Sequence, residues 1–384
     1  MHLERQGRVG IIILEKPPAN TFDYGDPQRF GGAPGQFHEA NQRRLQHWPW
    51  AMIATSTHDT KRGEDARARL VALSEIPHDW TSTVARWKVL NAPHLVTDGE
   101  MRAPSVAAEY MLYQTLLGAW PLQGPDAAFA GRIQAYALKA AREGKEQTSW
   151  LNPHEMYEAG LKAFIARILD PAISGEFLQA VTALAQRVAL LGALNSLSQL
   201  TLKATMPGVP DFYQGTEFWD LSLVDPDNRR PVDFAARAAA LASLGTPDWT
   251  ALAQGWSDGR LKLAWTAYLL KLRTELAGVF TDGDYQPLDV TGPHRDHVIA
   301  FARRKDGDAA IVVAARHFAS VTEGGRSWPK AGTFEGTVEL TGSGIETNAE
   351  LTLSALLKQL PVAVMKAGVA ASAKSTRGRV HAEP

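Results

Sequence analysis

The sequence predicts an α/β fold that ends in a small all-β unit, and three observations carry that prediction. First, the apolar run Ala51-Met52-Ile53-Ala54 ends in the polar cluster Thr55 to Arg62, and from about Gly63 the pattern is helical, with Ala66, Leu70 and Leu73 on one side. Second, residues 105–200 give successive helical patterns with almost no strand signal. Third, after Asp282 the apolar period drops to two. Strand, polar elbow and helix in that order put the elbow at the carboxyl end of a strand, where barrels and doubly wound sheets carry their ligand-facing side chains. Thr57, His58 and Asp59 are therefore placed for chemistry. The same spacing also fits a plain helix cap, in which Asp59 accepts backbone N–H bonds.

Composition narrows the class. A chain of 384 residues has room for two domains and a sizeable core, and 45% hydrophobic with 21% charged residues is the balance of a soluble globular protein. A net charge of -1 offers no electrostatic attraction to nucleic acid or to a membrane surface, so neither is expected as a partner. The absence of cysteine excludes disulfides and thiolate metal sites and fits a reducing, cytoplasmic compartment. Ile11 to Leu14 is too short and too closely flanked by charge for a signal peptide, and no apolar run reaches the roughly 20 residues of a membrane helix. Eleven tryptophans are many for this length. Exposed indoles commonly stack on sugar rings, although their large apolar area more often goes into a core.

In chain order, residues 25–50 are Gly- and Pro-rich and then helical, with Phe37, Ala40, Arg44 and Leu45 as a packed face leading into the strand at Met52. From Asp65 to Trp87 the pattern is helical with a break at Pro77, and Asp79 is placed to cap the second part. Helices are predicted at Ala107–Leu117, Ala127–Glu143, His154–Leu169 and Gly175–Leu200. So long a stretch exceeds one barrel crossover and reads as a helical insertion, with a free-standing bundle as the alternative. Thr201 to Gly215 predicts a strand at Leu202–Thr205, a Pro207-Gly208 turn and an extended Val209–Tyr213, with glycines that let backbones approach closely. Asp225 to Asp233 reads as a solvated charged loop, and Arg260–Phe280 as one amphipathic helix. His297–Arg303 and Ala309–Ala315 form a hairpin about the turn Lys305-Asp306-Gly307-Asp308, and Thr333–Leu340 adds a strand. His294 and His297 lack further ligands at suitable spacing, so no metal site is predicted. From Lys366 the composition predicts a disordered tail.

The segment Thr57-His58-Asp59-Thr60-Lys61-Arg62-Gly63-Glu64-Asp65-Ala66-Arg67 resembles the malto-oligosyltrehalose synthases, the trehalose-forming branch of the α-amylase family (glycoside hydrolase family 13). Four further words in the same order share the resemblance: Phe30-Gly31-Gly32 to Asn41, Glu109 to Pro121, Thr148-Ser149-Trp150-Leu151-Asn152-Pro153, and Met206 to Asp220 followed by Asp225 to Asp233. Together they span roughly residues 28 to 318. The resemblance implies the C-terminal part of an amylase-type (β/α)8 barrel with a helical insertion, followed by a small antiparallel β domain. The divisions expected are a partial barrel at 25–104, the insertion at 105–200, a final barrel strand and closing helix at 201–281, a β domain at 282–365 and a tail at 366–384. Residues 1–24, with Arg8 to Phe22 as a strand stopped by Pro17-Pro18, resemble instead the opening of an enoyl-CoA hydratase of the crotonase family and read as a foreign segment.

By resemblance, Asp59 is the transition-state-stabilising carboxylate of the amylase-type site, and His58 binds the same glucose. Lys61, Arg62 and Glu217 are candidate substrate contacts, with a salt-bridged rim as the alternative. The family reaction is an intramolecular transglucosylation of malto-oligosaccharides and needs no cofactor. The family's nucleophile and acid/base are not found in this sequence. The chain therefore reads as a fragment whose partner is an N-terminal portion of the same enzyme, or else as a non-catalytic α-glucan-binding remnant. An interrupted barrel also predicts open strand edges and poor solubility in isolation.

Overall fold

A computed structural model describes residues 33–369 of the protein. Residues 1–24, for which the sequence reading expects a resemblance to the crotonase family, lie outside the described residues, as does everything beyond residue 369. Helix α1 (Pro34–His47) starts on a proline, whose missing N–H is no loss at that position. Phe37 and Leu45 are partly buried as expected, but Ala40 is exposed, and the buried residue is Asn41, whose amide donates to Phe37 O at 2.9 Å. Strand β1 (Met52–Ile53) comes from the apolar run, and α2 (Glu64–Ala72) follows the elbow. Gly63 caps α2 without any side-chain bond, so His58 and Asp59 are not its caps. Helix α3 (Pro77–Asn91) starts at the proline break. Asp79 lies inside its first turn and pairs with Arg187 at 2.6 Å instead of capping it.

A short hairpin that the sequence pattern did not announce, β2 (Val96–Asp98) and β3 (Met101–Ala103), precedes the helical layer. That layer consists of α4 (Val106–Ala119), α5 (Phe129–Gly144), α6 (Glu155–Ile168) and α7 (Gly175–Thr205). The strand expected at Leu202–Thr205 is the end of α7. Its threonines look like strand residues, but Thr201 and Thr205 each bond the carbonyl four residues back at 2.7 Å, and Leu197, Leu200 and Ala204 are buried at helical spacing. At about 46 Å, α7 is the spine of the molecule. It gives Val181 and Val188 to a cluster around Trp80, Trp87, Tyr113 and Phe177. Leu197 and Leu200 join a second cluster with Trp265, Phe301 and Val312, and Leu190, Leu191 and Leu194 a third with Ile311 and Val313. Its length and apolarity would suit a membrane crossing, but 61% of that apolar window is buried within the protein, as in a core helix.

Strand β4 (Val209–Pro210) lies parallel to β1, with Met52 opposite Val209 and Ile53 opposite Pro210. Gly208 makes this approach possible: its φ is 125°, and a Cβ there would collide with Ile53 Cδ1 and sit 2.7 Å from Ala51 O. After α8 (Phe234–Ser243) and α9 (Trp249–Gln254), the single helix expected at 260–280 is two, α10 (Arg260–Glu275) and α11 (Ala277–Asp282), separated where Leu276 leaves helical geometry.

The β unit has strands β5 (Asp284–Pro287), β6 (Val290–Thr291), β7 (Val298–Lys305), β8 (Asp308–Ala315), β9 (Thr337–Val338), β10 (Ile345–Glu346) and, after the short helix α12 (Leu353–Leu356), β11 (Val362–Val369). Five of them form an antiparallel sheet in the order β10-β11-β8-β7-β5, with the β7–β8 hairpin in the expected place. The strand expected at Thr333–Leu340 shrinks to β9, which pairs with β6. β11 runs through Lys366 in register with β8, so residues 366–369 are strand and not tail. Their alternation of burial is hidden by small residues and one lysine.

Candidate active site

The elbow after β1 is built by hydroxyl groups. Thr57 N donates to Thr60 Oγ1 at 2.8 Å, Thr60 N donates to Thr57 O at 3.2 Å, and Asp59 N donates to Thr57 Oγ1 at 3.3 Å. From across the molecule, Asn228 Nδ2 donates to His58 O at 2.9 Å. The turn is thus tied on both sides while the two side chains at its tip project outward. His58 Nε2 lies 3.3 Å from Asp59 Oδ2, with the side chains 57% and 72% exposed. Because β1 and β4 are parallel, the Thr57–Arg62 elbow and the Asp211–Glu217 segment leave the sheet at the same carboxyl end.

Beneath the elbow lies a buried charge cluster. Glu64 and Asp65 open α2, Lys203 comes from the end of α7 and Lys262 from the start of α10. Lys262 Nζ donates to Glu64 Oε1 at 2.7 Å and to Asp65 Oδ2 at 2.8 Å. Lys203 Nζ donates to Thr55 Oγ1 at 2.7 Å and lies 3.5 Å from Glu64 Oε2, while Thr55 Oγ1 also donates to Glu64. Asp220 N donates to Asp65 Oδ2 at 2.5 Å, and Gly63 N donates to Ser222 O at 2.7 Å. These bonds clamp the strand end and the segment 218–222 to the first turn of α2. Burial by itself would raise the Glu64 pKa, but Lys262 and Lys203 outweigh it and hold the carboxyl at about 2. For Asp65, burial prevails and pushes the pKa up. The Lys262 ammonium is held upward by Asp65 and Glu64 against the opposing effect of burial.

The other sequence-derived candidates have protein partners. Lys61 Nζ reaches Glu143 Oε2 at 3.0 Å with half its side chain exposed, so it stands at the rim beside the elbow. Arg62 is buried: its guanidinium donates to Thr115 Oγ1 at 3.1 Å and lies 5.7 Å from the Tyr136 ring centre. Glu217 accepts from Arg237 Nε at 2.9 Å, and Arg237 also donates to Gly215 O at 2.9 Å. The structure therefore brings His58, Asp59 and Lys61 together at one surface and turns Arg62 inward. Three carboxylates on neighbouring segments are held by cations: Glu143 by Lys61, Asp225 by Arg229 at 2.7 Å, and Asp227 by Arg132 at 2.7 Å. His294 and His297 have protein partners, accepting from Glu335 N at 3.1 Å and lying 3.1 Å from His317 O.

Sequence reasoning missed Lys203, Lys262 and Asn228. A signal exists for Lys203, which interrupts the buried face of the apolar helix α7, and a buried ammonium implies an acidic partner; Lys262 lies in a helix with several other charged residues and gives none.

One edge of the site carries exposed apolar residues. Trp48, Trp50, Met52 and Val209 surround the two-stranded β1–β4 pair and are between 49% and 68% exposed. Parallel sheets occur almost only with both faces covered, and a pair of two-residue strands is far below that.

No protein-family profile matches the chain. Its solved structural relatives are α/β proteins of amylase type, and they define its class. Among them, the maltooligosyltrehalose synthase from Arthrobacter ramosus aligns over 90% of this chain and 42% of its own length, with a TM-score of 0.68 and 32% identity. A Sulfolobus tokodaii protein described as a hypothetical maltooligosyl trehalose synthase aligns over 74% of this chain and 36% of its own, with a TM-score of 0.62 and 32% identity. A curated Mycobacterium tuberculosis protein with the provisional name maltooligosyl trehalose synthase is 38% identical over 293 residues, 76% of this chain. The chain is thus homologous to maltooligosyl trehalose synthases, and it spans about a third of the length of the curated relatives it matches, 34%.

Proposed function

We propose that this chain forms part of a trehalose-forming transglucosylase, one that converts the reducing-end α-1,4 linkage of a malto-oligosaccharide into an α,α-1,1 linkage. The observation that carries the reading is the exposed His58–Asp59 pair on a rigid elbow at the carboxyl end of a parallel strand, in a chain homologous to maltooligosyl trehalose synthases. Asp59 binds the hydroxyls of the reacting glucose and stabilises the positive charge that develops at its anomeric carbon. His58 hydrogen-bonds the same sugar, and Lys61 approaches its neighbour once it exchanges Glu143 for a hydroxyl. Arg62 and Glu217 serve as scaffold, the first for α4 and the second for the Gly215 loop. A retaining transfer needs a nucleophile and an acid/base carboxyl about 5 to 5.5 Å apart. We assign both to polypeptide corresponding to the part of the relatives that this chain does not span. That polypeptide would supply the neighbouring barrel strands along the exposed β1–β4 edge. The acyl-CoA chemistry suggested by residues 1–24 has no place in this reading, and the lack of cysteine supports a cytoplasmic setting.

One observation favours a second reading for the chain by itself: three acids on segments beside the elbow, Glu143, Asp225 and Asp227, are already paired with cations, which suits an α-glucan-binding remnant. The test is a graft. The matching segment of the Mycobacterium tuberculosis relative is replaced by this chain's residues, and loss of reducing ends from maltopentaose is measured. Turnover that Asp59→Asn abolishes supports the proposal. A folded graft whose turnover is indifferent to Asp59→Asn refutes it.

A further inference from the structure

The word Thr148-Ser149-Trp150-Leu151-Asn152-Pro153 belongs to the family resemblance, yet nothing above gives it a role. It lies in the connection between α5 and α6, which the structure builds as a stiff pedestal. Ser149 N donates to Asn152 O at 3.2 Å, and Asn152 N donates back to Ser149 Oγ at 3.0 Å. Thr148 Oγ1 donates to Glu158 Oε1 at 2.6 Å and accepts from His154 N at 3.0 Å. Arg142 holds both Glu158 oxygens, at 2.8 and 2.6 Å, and this bidentate pair lowers the Glu158 pKa to about 2. The turn that these bonds order carries two outward apolar residues, Trp150 and Leu151, which are 56% and 92% exposed.

The Arg142 guanidinium lies 4.9 Å from the centre of the Trp150 ring and covers one face of it. The opposite face is open, and no described residue hydrogen-bonds the indole N–H. The pedestal is also close to the elbow in the fold: Glu143, next to Arg142 on α5, is the partner of Lys61. An indole fixed from behind by a cation, with one free face and a free N–H, matches a pyranose ring, whose polarised C–H bonds meet the π face while a hydroxyl takes the N–H.

We infer that Trp150 is a stacking platform for a glucose unit of an α-1,4-glucan, and that it holds the oligosaccharide away from the Asp59 elbow by a second point of attachment. Arg142 and Glu158 are positioning residues that keep the indole upright. The inference rests on the glucan-acting reading given above and adds a site to it.

The experiment is calorimetric titration of the full-length chain with maltopentaose, with cellopentaose as the β-linked control, for the wild type, Trp150→Ala and Trp150→Phe. Trp150→Ala is expected to weaken maltopentaose binding about tenfold, the loss typical of truncating an aromatic anchor, while Trp150→Phe stays within about threefold. The Trp150 indole N–H resonance, identified by its absence in Trp150→Phe, is expected to shift with maltopentaose and not with cellopentaose. Wild-type binding that Trp150→Ala leaves unchanged overturns the platform and spares the glucan-acting reading. A folded wild type with no maltopentaose binding overturns both.

Discussion

Substituting Lys262 by methionine probes the charge cluster that anchors the elbow. In the native chain, two carboxylates and two ammoniums, Glu64, Asp65, Lys203 and Lys262, balance in charge with their side chains at most 7% exposed. Lys262→Met keeps the length of the stem and removes three contacts at once, those to Glu64 Oε1, Asp65 Oδ2 and Phe218 O. One buried negative charge is left uncompensated, which costs about 3–5 kcal/mol, against a total of roughly 5–15 kcal/mol for a native protein. The melting midpoint should fall by about 4–6 °C, read by circular dichroism. The pH dependence has a definite sign. Glu64 is held below its unfolded value, so its contribution is present above about 4.5 and lost as pH falls toward about 2. Asp65 is shifted the other way and takes up a proton more readily when folded, so its cost shrinks on acidification. In Lys262→Met both carboxylates lose their shared ammonium, so the deficit relative to wild type should narrow from pH 7 to pH 4. Adding Asp65→Asn should restore most of the midpoint at pH 7. A single variant within about 2 °C of wild type, or a double variant no better than the single, would refute the electrostatic account.

Asp59→Asn should leave stability within about 0.5 kcal/mol, because the side chain is 72% exposed, yet lower turnover of the graft by about 10²–10³; thermal melts and reducing-end assays on one preparation check both. Gly208→Ala forces a Cβ against Ile53 and the Ala51 carbonyl at positive φ, and should cost about 1–3 kcal/mol in urea denaturation. If the β1–β4 edge is an unfilled contact surface, Trp50→Lys with Met52→Lys should reduce light scattering of the concentrated chain without lowering its melting midpoint. Unchanged scattering would mean that some other surface drives association.

The elbow was legible because its signal is local: an apolar run, a polar cluster and a helical pattern follow one another within about twenty residues. The hairpin β7–β8 was legible for the same reason, through a turn at Asp306-Gly307 between two short apolar runs, although the expected period of two is absent because both strands are buried on both faces. The end of α7 was misread because threonine favours strands, and only the back-bonded hydroxyls and the buried face at 197–204 show why the helix persists. The charge cluster was invisible because it depends on distant pairing, with Lys262 lying 198 residues from Glu64. The inward turn of Arg62 was likewise undecided, since it takes Thr115 and Tyr136 from the helical layer to bury it. Short-range patterns located the elbow and the hairpin, and long-range contacts decided the burial of Arg62 and the pairing of the charge cluster.

The most direct test of the central claim, that these residues carry the stabilising carboxylate of a trehalose-forming site but not its nucleophile and acid/base, is incubation of the purified chain with maltopentaose. The account predicts no loss of reducing ends from the folded chain alone, and formation of a non-reducing product once polypeptide covering the unmatched part of a relative is added. A non-reducing product formed by the chain alone would contradict it, and would place a complete set of catalytic carboxylates within these 384 residues.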